Sequence, residues 1–206
     1  ERELCELLRV NRGAVREALK RLAQAGLIAT HHGGGTKVLN FRRTASLDLI
    51  SKLLFSADGT IDLKVARSVM EMRAAMAPDI ARLCARRVTP EIKARLLRCI
   101  SNMRNAAGDL PALQQLALDF WDILVSGSDN IAYQLVFNNL RETYNHLREP
   151  LRHVLAEELE DVGAYQTIAD AVIRGDDLSA THVARALVDK GTQGIFELLA
   201  AIEERP

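Results

Sequence analysis

The stretch GAVREALKRLAQAG (Gly13–Gly26), followed at once by LIATHHGGGTKVLNF, constrains the fold of this chain more than any other part of it. Val15, Leu19 and Leu22 recur at the spacing that lines one face of a helix, with Ala18 on the same side. Arg12, Arg16 and Lys20 recur every four residues on a different stripe. Gly26 stands where a helix C-terminus favours glycine. Beyond it, LIATHH and TKVLNF alternate weakly around Gly33–Gly35, which predicts a two-stranded hairpin with a glycine tip. Upstream, ERELCELLRV carries Leu4, Leu7 and Leu8 at helical spacing and ends near Arg9. Two short helices, the second one basic, followed by a hairpin predict a helix-turn-helix with a wing over residues 1–41.

From Thr44 onward the strand signals vanish. Helices are predicted over 45–56, 61–86, 90–106, 111–127, 131–158, 163–174 and 178–202, with breaks at Gly59, Pro90, Gly108–Pro111, SGSDN (126–130), Gly163 and GDD (175–177). Pro78 and Pro150 fall inside predicted helices and are expected to kink or interrupt them. FRRTAS (41–46) is the expected junction, with residues 42–46 as linker and 47–206 as an all-helical domain. The expected fold class is therefore mainly α: a winged helix-turn-helix followed by an all-α bundle.

Charge divides along the same line. Residues 1–43 hold nine Lys/Arg against four Glu, a net +5. Of the 27 basic and 27 acidic residues in the chain, that leaves 18 and 23 for the remainder, a net −5. A basic head on an acidic body fits a head that meets nucleic acid and a body that does not. Three cysteines with no C-x-x-C pair argue for a reducing, cytoplasmic setting rather than a disulfide framework or a thiolate zinc site. No apolar run reaches the roughly 20 residues a membrane helix needs. No Ser/His/Asp or Cys/His constellation has catalytic spacing, so an enzyme is not expected.

In the head, Arg12 and Arg16 occupy the first turns of the second helix, the part of a recognition helix that reaches base edges in the major groove. Asn11 is placed to cap that helix or to contact a phosphate, and Arg2 to contact the DNA backbone. His32 and Gly33 lie on the wing, where a glycine lets main chain approach DNA closely. The alternative is that these arginines form a solvated face. ERELCELLRVNRGAVREALKRLAQAGLI followed by HHGGGTKV closely resembles the GntR family of bacterial transcription regulators. The resemblance covers about the first 41 residues and implies DNA contacts at Arg2, Asn11, Arg12, Arg16, His32 and Gly33. It also implies one further helix before ERELCELL, so the chain is expected to begin inside the domain.

The body is similar to the ligand-binding domain of the FadR subfamily on the stretches EMRAAMAPDIARLCARR, FWDILVSGSDNIAYQLVFNNL and TIADAVIRGDDLSA. That resemblance implies a homodimer on a palindromic double-stranded DNA operator, with affinity controlled by a small-molecule effector, a fatty acyl-CoA or alternatively a small carboxylate. Many members hold a divalent metal in the bundle. The matching positions here are Leu118, Asp122, Tyr165 and Leu187, too few ligands for a site, so neither a metal there nor any other cofactor is expected. His146, His153 and His182 remain as scattered histidines. Arg73 and Tyr144 match effector-contacting positions, although Arg73 also reads as an inter-helix salt bridge. Lys190 and Ile195 replace an acid and a tryptophan of the acyl-CoA binder. Trp121 reads as core, and EELED (157–161) as a solvated helix face.

Overall fold

The computed structural model describes residues 1–31, 35–56 and 59–204, with the His146 side chain outside the description. They form two compact units, Glu1–Leu53 and Leu54–Pro206, so the 41–46 segment falls inside the first.

In the first unit, α1 (Arg2–Leu8) ends on Arg9 in the left-handed conformation, and α2 (Arg12–Gln24) follows after a short turn. Asn11 caps α2 by accepting from the Ala14 N–H at 2.8 Å, which satisfies one of the free donors of a helix start. Val15 is buried and Leu19 half-buried, but Leu22 and Ala18 are exposed, so the inward stripe is narrower than the spacing predicts. Gly26 is required where α2 stops. Its φ is +71°, and a Cβ there would stand 2.3 Å from the Thr44 carbonyl oxygen. Thr44 Oγ1 donates to the Gly26 carbonyl at 2.7 Å, which ties the helix end to α3 (Phe41–Thr44). Between them β1 (Ile28–His31) and β2 (Gly35–Val38) pair antiparallel, Ile28 opposite Val38 and His31 opposite Gly35. A 3₁₀ turn (Leu47–Leu49) and α4 (Ile50–Leu53) complete the unit.

The second unit contains the helices α5 (Leu63–Arg86), α6 (Pro90–Asn105), α7 (Leu110–Gly127), α8 (Ile131–His146), α9 (Arg148–Val154), α10 (Ala156–Leu159), α11 (Val162–Arg174) and α12 (Asp177–Glu203). Side-chain caps from Asp62, Thr89, Asp109, Asn130, Asp161 and Asp176 explain where most of them begin. The longest two, α5 and α12, make the most extensive contact. Both bury small residues, Ala77, Ala81 and Ala85 on α5 and Ala180, Ala184 and Gly191 on α12. Around them Leu96, Met103, Leu124, Ile168 and Val172 are fully buried.

Two expectations are corrected. The single helix expected over 131–158 is three, broken at Leu147 and Leu155. Pro150 sits in the first turn of α9, where its missing N–H has no intrahelical partner to lose. Pro78, by contrast, does not interrupt α5, whose buried neighbours Ala77, Ile80 and Ala81 hold the helix through it.

Candidate DNA interface and effector cavity

Arg12 and Arg16 lie one turn apart at the start of α2, both exposed, and the exposed Lys20 continues the stripe. Arg16 Nε meets Glu1 Oε2 at 3.3 Å and Arg2 Nε meets Glu6 Oε1 at 3.3 Å, both as exposed pairs that hold little energy and yield readily to a phosphate. Asn11 is committed to its cap. His32 and Gly33 lie outside the described residues, between the two strands of the wing. The first unit thus brings Arg2, Asn11, Arg12 and Arg16 together in two adjoining helices and the turn between them.

The second unit encloses a cavity of about 170 Å³ walled chiefly by Leu, Met, Val, Ile and Ala from α5, α7, α8 and α9, with Leu54 and Ile195. One end is polar. Arg73, on α5, forms an ion pair with Glu158, on α10, and a 3.4 Å hydrogen bond to the Val188 carbonyl. Glu158 is the more deeply buried partner, its side chain 3% exposed against 25% for Arg73. Burial pushes the Glu158 carboxyl up from its ordinary value, against the downward pull of Arg73. Gln114 Nε2 donates to the Tyr144 hydroxyl and to the Arg148 carbonyl, both at 2.7 Å, and Gln114 Oε1 accepts from Arg152 Nε at 3.3 Å. Among the described residues, Glu158 Oε2 is a buried polar atom with no hydrogen-bond partner. Burial raises the Tyr144 and Tyr165 hydroxyl pKa values, so both stay protonated.

Arg73 and Tyr144 both line this cavity, and Arg73 is at once cavity wall and inter-helix salt bridge. The reading of EELED as a solvated face fails at Glu158, because the break at Leu155 turns this residue inward among Leu155, Leu159 and Gly191. The available signal was its register: Leu151, Leu155, Glu158, Leu159 and Val162 share one apolar stripe. Trp121 is core, edge-on to Phe120 at 6.0 Å, and its flank also lines the cavity. Lys190 pairs with Asp161 rather than facing the cavity, while Ile195 lines it.

A divalent cation does not fit the four positions that match the metal site of relatives. Leu118 and Leu187 have no donor atoms, Asp122 is held by Arg95 and Arg141 at 3.6 and 3.3 Å, and Tyr165 is packed edge-on to Phe120. Among the described residues no group of three or more His, Cys, Asp or Glu is arranged to hold a metal, and His153 and His182 are exposed.

Two helices and a wing with an outward basic stripe, followed by a helical bundle around an apolar cavity, define a transcription regulator with an effector domain. Residues 1–38 match the gntR family of bacterial regulatory proteins, and residues 68–190 match the FCD domain. The chain is 37% identical over 205 residues to the HTH-type transcriptional regulator Mce2R of Mycobacterium tuberculosis, covering 100% of this chain and 85% of that one. It is 32% identical over 148 residues to the fatty acid metabolism regulator protein of Pectobacterium carotovorum, 70% of this chain and 58% of that one. A Streptococcus agalactiae GntR structure shares the fold, with TM-score 0.54, 24% identity, and 93% and 86% of the two chains covered. The chain belongs to the gntR family of bacterial regulatory proteins, with an FCD effector-binding domain: it is a DNA-binding transcription regulator and not an enzyme. None of its described helices is long and apolar enough to cross a membrane.

Proposed function

We propose that this regulator binds a palindromic operator as a homodimer in the cytoplasm, and that an effector lodged in the cavity of its helical body sets operator affinity. The head over 1–41 carries the DNA contacts at Arg2, Asn11, Arg12, Arg16, His32 and Gly33, the segment 42–46 links, and the body over 47–206 carries effector and dimer contacts. The single observation that supports an effector is the apolar cavity with one polar end, bordered by Arg73 and Tyr144, within a well-packed bundle. A fatty acyl-CoA suits it best, because an acyl chain matches the apolar wall and the relative from Pectobacterium is named for fatty acid metabolism. A small carboxylate would have to compete with Glu158 for Arg73.

In vitro selection from random DNA with the full-length protein should return an inverted repeat bound by two copies, half-sites a helical turn or a multiple apart. With that DNA, a saturating long-chain acyl-CoA should change operator affinity by roughly 1–3 kcal/mol. In chelator it should also raise stability by roughly 2.7 kcal/mol at 100 times its dissociation constant. An asymmetric single site bound by one copy refutes the dimer reading. An acyl-CoA that moves neither quantity refutes the acyl reading.

A further inference from the structure

The cavity wall carries three charged side chains, Arg73, Arg141 and Glu158. Arg73 is matched by Glu158, whereas Arg141 shares Asp122 with Arg95, at 3.3 and 3.6 Å. An anionic ligand that reaches the polar end of the cavity at Arg73 therefore meets a cation already paired there. The Arg73–Glu158 pair is also built in from behind. A Cβ on residue 191 would stand 2.0 Å from Glu158 Oε2 and 2.9 Å from Leu155 Cδ2, so the carboxylate has room only because α12 carries glycine at that point. The uncharged polar groups of the wall are bonded within the protein: Gln114 to Tyr144, Arg148 and Arg152, and Thr143 to the Asn139 carbonyl.

We propose that Glu158 is the specificity-determining residue of the effector cavity: as an internal counter-ion it occupies Arg73, so that the cavity accepts an uncharged apolar body and rejects a free carboxylate. The physical reason is the alternative state. A ligand carboxylate on Arg73 would leave Glu158 buried without its counter-charge, among Leu155, Leu159 and Gly191, where an unpaired charge is strongly disfavoured. An alkyl chain ending in an ester, thioester or hydroxyl leaves the pair intact and replaces only weakly hydrated apolar wall. The proposal rests on the cavity being the effector site and adds the charge of the ligand it takes.

Octan-1-ol and octanoate test it, since a cavity of about 170 Å³ slightly exceeds the roughly 150 Å³ that accepts benzene. Binding of each to the full-length protein is measured by calorimetry at about pH 8, for wild type, Glu158→Gln and the double variant Arg73→Met/Glu158→Gln. Wild type should bind octanol roughly tenfold or more tightly than octanoate. Glu158→Gln keeps the shape, removes the charge and frees Arg73, so it should reverse that preference, and the double variant should lose the gain in octanoate affinity. Octanoate binding wild type as tightly as octanol overturns the proposal, as does an unchanged ratio in Glu158→Gln, while both leave the cavity standing as the effector site. Neither probe binding a wild type that still binds its selected DNA overturns the proposal and the effector reading together. If Glu158→Gln fails to fold, the wild-type ratio alone decides.

Discussion

Replacing Arg73 with Met should destabilise the helical body in a pH-dependent way. Met fills much of the volume of the arginine stem, so the change isolates the loss of the guanidinium. Glu158 then keeps a buried carboxylate with no counter-ion, and its second oxygen already lacks a partner. Removing one member of a buried pair costs about 3–5 kcal/mol, and the quarter exposure of Arg73 places this case near the lower end, about 3 kcal/mol. For a chain of this size that corresponds to a fall in Tm of about 6–12 °C. Burial already raises the Glu158 carboxyl above its ordinary value, and losing Arg73 raises it further. An acid whose folded-state pKa is raised stabilises the fold fully below its ordinary pKa and loses that contribution as pH rises through the folded value. The variant should therefore show its full deficit near pH 8 and a smaller one toward pH 5, because a raised Glu158 takes up its proton more readily than an ordinary carboxyl. Denaturant unfolding at the two pH values measures this, and Arg73→Met/Glu158→Gln should restore most of the stability at pH 8. A deficit below about 1 kcal/mol, or one of equal size at both pH values, refutes the argument that Glu158 is held as a buried ion.

Arg12→Ala and Arg16→Ala should each weaken operator binding by about 1–3 kcal/mol and relax its sequence preference. Fluorescence anisotropy on the selected and on scrambled DNA reads both effects, and equal losses on the two would count against base reading. Gly26→Ala should destabilise the first unit by about 1–3 kcal/mol, because it forces a Cβ against the Thr44 carbonyl at positive φ. The far-ultraviolet thermal transition of that unit should move while the body transition stays in place. Burial pushes the Cys84 thiol up to about 12 and the Cys99 thiol up to about 11. Iodoacetamide at pH 8 should therefore label the half-buried Cys5 first, and all three thiols only in denaturant. Rapid labelling of Cys84 in the native protein would show that the α5 packing opens.

By itself the sequence determined the elements that rest on local chemistry. Gly26 and Asn11 bound the basic helix, because a left-handed stop and a side-chain cap are decided within a few residues. The caps Asp62, Thr89, Asp109, Asp161 and Asp176 likewise mark helix starts close to those the spacing predicts. The Leu118 and Leu187 positions carry no metal donors whatever surrounds them, which is side-chain chemistry and needs no fold. The tertiary structure decided the rest. Whether Pro78 ends a helix depended on the buried neighbours that hold α5 together, and the break at Leu155 on what the turned segment could bury. Glu158 shows the difference most clearly. In sequence it is one carboxylate among several in EELED, and only the bundle supplies its partner, 85 residues away at Arg73, and its space, at Gly191. A charge is committed to the interior by groups that converge from distant parts of the chain, and no local pattern records that convergence.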